Sequence, residues 1–211
     1  MSQADMTMAS HVHHHPPGMV EGLPPFTVPA KKMAMWLFII ADAATFAGCL
    51  VAYGFLRNGS ANWPRPFESM TNAILMTFIL LTSSLTMLLG VRAAKAADRS
   101  GAFRWTMITM VLGVIFALLH IREWLELIDR GMTLSHNPWG TSLFGSVFFS
   151  ITGLHLLHVT GGVIALLVIG LSWKAGHRTA EDIEVAGLYW HFVDLVWMFV
   201  VPFVYLLNMA H

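Results

Sequence analysis

Charged side chains are scarce in this sequence. Asp, Glu, Lys and Arg make up 11% of its 211 residues, against about a quarter in a soluble domain. The apolar residues, 56% of the chain, fall in long runs rather than amphipathic stretches, which excludes an ordinary soluble fold. Net charge is zero, so a nucleic-acid partner would find no electrostatic footprint. The single cysteine, Cys49, lies in an apolar run and makes an intrachain disulfide impossible. No CxxC or CxxCH motif is present, which excludes covalent haem attachment of the c type by the usual motif. A repeat of about 20–50 residues is also absent, and five spans cannot split into two equal inverted halves. Both absences count against the commonest transporter architectures.

Residues 1–30 lack the apolar core of a signal peptide. Pro16, Pro17, Pro24, Pro25 and Pro29 make this stretch an irregular, flexible tail. Its HVHHH run is capable of adventitious metal binding, although a plain polar tail is the simpler reading. Residues 31–211 then form the membrane domain.

Five segments reach the length of about 20 residues that a bilayer requires. They are Met33–Leu56, Asn72–Val91, Phe103–Ile128, Leu143–Trp173 and Gly187–Asn208. Short polar connections make neighbours antiparallel, so the expected fold is all-α, a bundle of five transmembrane helices. Lys31, Lys32, Arg92, Lys95, Arg99, Arg104, Lys174 and Arg178 fall on one side of this arrangement. Arg57, Arg65, Arg122 and Arg130 fall on the other. The excess of basic residues places the first side, and the N-terminus, in the cytoplasm and the C-terminus in the periplasm. Trp36, Trp105, Trp124, Trp173 and Trp190 sit near span ends, where interfacial anchors are expected. Pro202 should kink the last span or free the Met198 carbonyl.

Ionisable residues inside a membrane are costly and mark function by default. Span one carries Asp42; span three His120, Glu123 and Glu126; span four His155 and His158; span five His191 and Asp194. At about 1.5 Å of rise per residue, Asp42 lies roughly 13 Å in from the cytoplasmic side, and His191 and Asp194 about 6 and 10 Å in. His155 and His158 lie roughly 20 Å along a span that descends from outside, at a similar level. The expectation is that His191 and Asp194 pair with His155 and His158, with Asp42 nearby. Gly162 shares the face of the two histidines and would let a neighbouring helix approach. Glu123 and Glu126 should lie near the outer surface. Three roles stay open for the inner cluster: a structural network, a proton relay, or ligation of a metal or haem. The hydroxyls of span two and the scattered methionines read as packing.

Four stretches in order resemble subunit III of the haem-copper terminal oxidases. "YWHFVDLVWMFVVPFVY" looks like the family's last-helix signature, through Tyr189, Trp190, His191, Phe192, Asp194 and Trp197. "GSVFFSITGLHLLHVTGG" resembles its penultimate segment, with Gly153, His155, His158 and Gly162. "LLHIREWLELI" matches the segment with the acidic-aromatic-x-acidic centre at Glu123, Trp124 and Glu126. "WLFIIADAATFAG" corresponds to the buried-carboxylate segment, filled here by Asp42. Many members have seven helices and a Glu at that position. Five-helix forms are familiar among bacterial cytochrome c oxidases, quinol oxidases and the subunit III-like proteins of nitric oxide reductases.

The resemblance implies a non-catalytic core subunit of an aerobic respiratory oxidase, most simply cytochrome c oxidase, in the bacterial inner membrane. Haem and copper would reside in partner subunits I and II, with no metal and no catalytic residue in this chain. Cytochrome c or quinol would meet only the complex. This subunit would stabilise subunit I, bind phospholipid and support proton uptake. Asp42 would be a buried carboxylate facing subunit I, and His155, His158, His191 and Asp194 would hold the bundle. Lys95 and Arg104 are candidates for lipid phosphates. A quinol oxidase or nitric-oxide-reductase-associated homologue is the alternative within the class. An independent small transporter or proton channel is the alternative outside it, and would need a continuous polar path through the outer halves of the spans.

Overall fold

The structure, a computed structural model, describes residues 29–67 and 69–209. The expected tail and its HVHHH run lie almost wholly outside the described residues. Five helices follow: α1 (Ala30–Gly59), α2 (Thr71–Lys95), α3 (Arg99–Asp129), α4 (Ser142–Lys174) and α5 (Ala180–Val200). All five are long and apolar enough to cross a membrane. The only bridge of β type among the described residues joins Phe67 to Met209. The all-α expectation therefore holds, with most helices a few residues longer than the spans read from sequence. Helix α4, at 33 residues, extends about 50 Å at helical rise and must project beyond a hydrocarbon core of about 30 Å or tilt within it.

Local chemistry sets the helix ends. Asp98 caps α3, its carboxylate accepting from the Gly101 amide at 2.8 Å. Thr179 and Asp182 close α5 with a capping box. Between α2 and α3 the chain turns in three residues, with Ala97 at φ 58° and the Asp98 amide returning to the Ala93 carbonyl. At the far end of α5, Pro202 cannot donate to the preceding turn, and the chain widens into a π turn over Val201–Tyr205. The expected disturbance at Pro202 takes this form.

Helices α1, α3 and α5 run in one direction and α2 and α4 in the other. Lys31 meets Asp182 at one end of the bundle, and Arg57 donates to the Leu207 carbonyl at the other. Thr86 meets Thr109, and Asn72 meets Glu123, as antiparallel α2 and α3 require. The core lies among α2 to α5 and is heavily aromatic, with Trp190, Trp197, Phe116, Phe144, Phe148 and Tyr205 fully enclosed. Helix α1 stands at the side and buries only Phe46 and Tyr53.

Candidate functional site

Among the polar side chains inside this apolar bundle, four groupings stand out. The first is the seam between α2 and α5. Trp197 Nε1 donates to Thr77 Oγ1 at 3.1 Å, and Trp190 Nε1 to Ser83 Oγ at 3.0 Å. Both hydroxyls donate in turn to carbonyls of their own helix, Ala73 and Leu80, at 2.7 Å. Each hydroxyl thus satisfies its own proton locally and offers a lone pair to the indole, leaving no donor stranded. One residue along, Ser84 Oγ lies 2.6 Å from His191 Nδ1.

This seam corrects the pairing expected for span five. His191 turns to Ser84 on α2 rather than to the α4 histidines. Asp194, 5% exposed, lies beside the same Ser84, although neither of its carboxyl oxygens is in an aligned hydrogen bond. The reason is azimuth. Counting residues along a span fixes depth, whereas adjacent residues point about 100° apart around the helix. Trp190 turns into the gap between α3 and α4. A Cβ at Gly162 would lie 2.8 Å from its ring, and one at Gly113 would collide with it. His191 consequently faces elsewhere. Trp190 is fully buried, so it is a core wedge rather than the interfacial anchor expected, while Trp36 is half-exposed.

The second place is the contact of α1 with α4. His158 Nε2 lies 3.0 Å from Asp42 Oδ2, with only 13% and 14% of the two side chains exposed. The distance is that of an ion pair, though the ring N–H is off the hydrogen-bond line. His158 Nδ1 is 2.7 Å from the Leu154 carbonyl. A carbonyl only accepts, so Nδ1 carries a hydrogen. Nε2 is then the nitrogen that faces the Asp42 carboxyl. His158 also lines an open groove with Phe38, Trp124, Leu157 and Tyr189, of about 660 Å³.

The third place is a crevice of about 370 Å³ at the α2–α3 end that carries Arg122 and Arg130. Glu123 lines it, yet is only 9% exposed. Its carboxylate accepts from Tyr205 Oη at 2.6 Å and from Asn72 Nδ2 at 3.1 Å. Glu126 is exposed and pairs with Arg122 at 2.9 Å. The two glutamates are thus unlike: Glu126 is exposed, and Glu123 is built into the bundle.

The fourth is a pair of enclosed imidazoles. His120 and His155 are both fully buried, and no ring nitrogen of either has a hydrogen-bond partner. His155 stacks on Trp197 at 5.0 Å between centroids and meets Phe116 edge-on at 5.8 Å. His120 stacks on Phe116 at 5.8 Å. A haem or copper ligand needs a nitrogen with open space before it, and these rings are walled in by other rings. Among the described residues no group of three or more His, Cys, Asp or Glu is placed to hold a metal ion.

At the basic end, Lys32 and Lys95 share Glu184 at 2.8 and 2.9 Å, so Lys95 is engaged in an ion pair. Arg104 is exposed on the first turns of α3. Sequence reasoning missed Thr77, Ser83 and Ser84 as partners, along with Asn72, Tyr205 and the central position of His120. A signal was available. Trp190 and Trp197 are seven residues apart, which puts both indoles on one face of α5, and the hydroxyls of Thr77 and Ser83 recur along α2 at a similar spacing.

Comparison with known proteins bears on what this arrangement serves. The sequence profile described as cytochrome c oxidase subunit III matches residues 14–209. A protein of Synechocystis sp. named cytochrome c oxidase subunit 3 is 34% identical over 207 residues, covering 94% of this chain and 80% of its own length. Quinol oxidase subunit 3 of Bacillus subtilis is 32% identical over 183 residues, covering 84% of this chain and 87% of its own. A probable cytochrome c oxidase subunit 3 of Mycobacterium tuberculosis is 34% identical over 179 residues, with 82% and 85% covered.

Proposed function

Because this chain belongs to the cytochrome c oxidase subunit III family, a family of non-catalytic haem-copper oxidase subunits, we propose that it serves beside subunits I and II of a cytochrome c oxidase in a bacterial inner membrane. Subunits I and II carry the haems and copper and reduce oxygen to water, and cytochrome c reaches the complex rather than this chain. The observation that carries this reading is the long family match combined with the state of α1. That helix is long and apolar but buries only two side chains, so it presents a broad apolar face to a larger partner or to lipid. Asp42 and His158 lie on this flank 3.0 Å apart, so the carboxyl finds a partner within the chain, which suits a contact with subunit I.

On this reading the basic end faces the cytoplasm, as the distribution of Lys and Arg favours. Arg104 then meets lipid phosphates, and the groove beside His158 accepts an acyl chain. His155, Trp190 and Trp197 hold α4 and α5 together, while His191 and Asp194 serve the α2 side. Support of proton uptake falls to the Asp42–His158 pair.

A quinol oxidase is the second reading, favoured by the 32% identity to the Bacillus subtilis protein. Affinity purification of the chain from native membranes in mild detergent tests both. A reduced-minus-oxidised spectrum with haem bands and oxygen uptake is the expected result, with reduced cytochrome c as the faster donor. Faster uptake with quinol would move the chain to the second reading. A colourless, intact and inactive preparation would overturn both.

A further inference from the structure

Eight Lys and Arg side chains stand at the basic end, and six of them are engaged within the chain. Lys31 and Arg178 meet Asp182 at 2.7 and 4.0 Å, and Lys32 and Lys95 share Glu184. Arg99 donates to the Trp173 carbonyl at 3.3 Å, and Lys174 lies 4.9 Å over the Phe103 ring. Arg92 and Arg104 are exposed, and neither has a partner among the described residues. These two lie at one level on neighbouring helices. Thr86 meets Thr109 across α2 and α3, and a Cβ at Gly90 would meet Thr106 and Trp105. The same antiparallel register sets Arg92 level with Phe103 and Arg104.

Each arginine also crowns an outward apolar stripe. On α2, Leu81, Leu85, Leu88 and Arg92 follow at intervals of three or four residues, and on α3 Arg104, Ile108, Val111 and Ile115 do the same, which keeps each set on one helix face. All six apolar members are exposed. An unpaired cation at the edge of the hydrocarbon calls for an anion, and the stripes decide which kind. No Gly, Ala, Ser or Thr belongs to either stripe, whereas helices that pack together in a membrane favour such small residues at the contact. Helix α1 shows the contrast: Ala41, Ala44 and Gly48 are exposed there, and a Cβ at Gly48 would meet nothing within 4 Å. The α1 face suits a second helix, and the bulky α2–α3 face suits flexible acyl chains.

We propose that the α2–α3 face holds one molecule of a two-phosphate anionic lipid, a diphosphatidylglycerol, with one phosphate on Arg92 and the other on Arg104. The proposal rests on the reading above in which Arg104 meets lipid phosphate, and it gives that site a second cation and a ligand. Packed helices have axes about 8–10 Å apart, a gap across which two long side chains converge on phosphates joined by a single glycerol bridge. Each guanidinium offers a planar fork of donors to phosphate oxygens. Each phosphatidyl half lays its chains along one stripe. Trp105, half-buried next to Arg104, sits at the headgroup level, where indoles anchor. A lipid with one phosphate satisfies one arginine and leaves the other unpaired.

The test is native mass spectrometry of the intact complex, purified in mild detergent, with tetraoleoyl cardiolipin or dioleoyl phosphatidylglycerol added. Arg92→Gln and Arg104→Gln should each weaken retention of one cardiolipin about fivefold or more. Arg178→Gln, which removes a charge already paired at the same end, should leave retention unchanged. Wild-type complex should hold phosphatidylglycerol at this site about fivefold less tightly than cardiolipin. A loss no larger in the first two variants than in Arg178→Gln would overturn the site. Equal retention of the two lipids would overturn the two-phosphate ligand. Unchanged lipid retention with another subunit released would show a protein interface instead, and would also overturn the proposal. A second measurement needs no variant: cardiolipin with a diazirine in its acyl chains, photolysed on the wild-type complex, should label α2 and α3. Labelling confined to α1 and α4 would overturn the assignment. The haem spectrum of the same sample reports separately on membership of the oxidase.

Discussion

One methyl group at position 162 should loosen the bundle, while the same methyl at position 161 should not. A Cβ at Gly162 would lie 2.8 Å from Trp190 Cζ3, 2.9 Å from Cε3 and 3.1 Å from Tyr189 Cε1. Carbon contacts are comfortable at about 3.5 Å, so the indole would have to retreat by about 0.7 Å, the difference between 3.5 and 2.8. Its retreat is blocked. The far edge of the ring presses on Gly113 of α3, and Nε1 is tied to Ser83 at 3.0 Å. Overpacking costs about 1–3 kcal/mol and a stretched indole bond about 1 kcal/mol, less about 0.5–1 kcal/mol gained by replacing a helical glycine. The net loss is about 1–3 kcal/mol. At Gly161 the added Cβ meets only Tyr189 Oη at 3.8 Å, so only the helical gain remains. The assay is stepwise heating of the purified complex, followed by size exclusion to measure how much of this chain stays associated. Gly162→Ala should lower the midpoint by roughly 2–12 °C, given about 2–4 °C per kcal/mol for a chain of this size. Gly161→Ala should match or exceed the wild type. Equal midpoints for the two variants would refute the wedge.

Three further outcomes use the same assay. Asp42→Asn leaves His158 with a partner and should melt near the wild type, whereas Asp42→Leu strands Nε2 and should cost about 1–3 kcal/mol; haem absorbance of the assembled enzyme should be equal in both. Ser84→Ala removes the partner of His191 and should cost about 1–3 kcal/mol, with Ser84→Thr restoring most of it; indifference to both changes would disprove that contact. Glu184→Gln releases Lys32 and Lys95, but these pairs are solvated and should contribute less than about 1 kcal/mol, fading as salt is raised. A large loss that persists at high salt would show instead that this clip is a structural requirement.

The spans were legible because bilayer length is a one-dimensional property. Runs such as Leu143–Trp173 announce themselves. Rotation about each helix was not legible. In a soluble bundle the polar face identifies the outside, but here the outward residues include Phe55, Phe78, Leu118 and Leu157, as apolar as the core. Depth counting therefore gave His191 the wrong neighbour. Glu123 was hidden for a related reason. Its partner Tyr205 ends the π turn over Val201–Tyr205, and a straight α-helix would have aimed that hydroxyl in another direction. The Asp42–His158 contact was nearly within reach, since both residues were read to the same depth.

The sideways position of α1 sets a timetable for synthesis. Its anchoring contacts, to His158, Asp182, Leu207 and Asn208, are all with the last two helices or just beyond. Position 158 is 116 residues after position 42. At about 5–20 residues per second, Asp42 waits roughly 6–23 s in or beside the bilayer before His158 exists. Insertion of an aspartate at mid-helix costs about 2.5–3.5 kcal/mol, which the flanking Leu, Ile and Phe at about 0.3–0.6 kcal/mol each largely offset. The helix can therefore enter unaided, but it remains an unclaimed segment while α2 and α3 close on each other. Slower elongation between α1 and α4 should thus lower the yield of assembled subunit, and the Asp42→Leu chain should be insensitive to that delay.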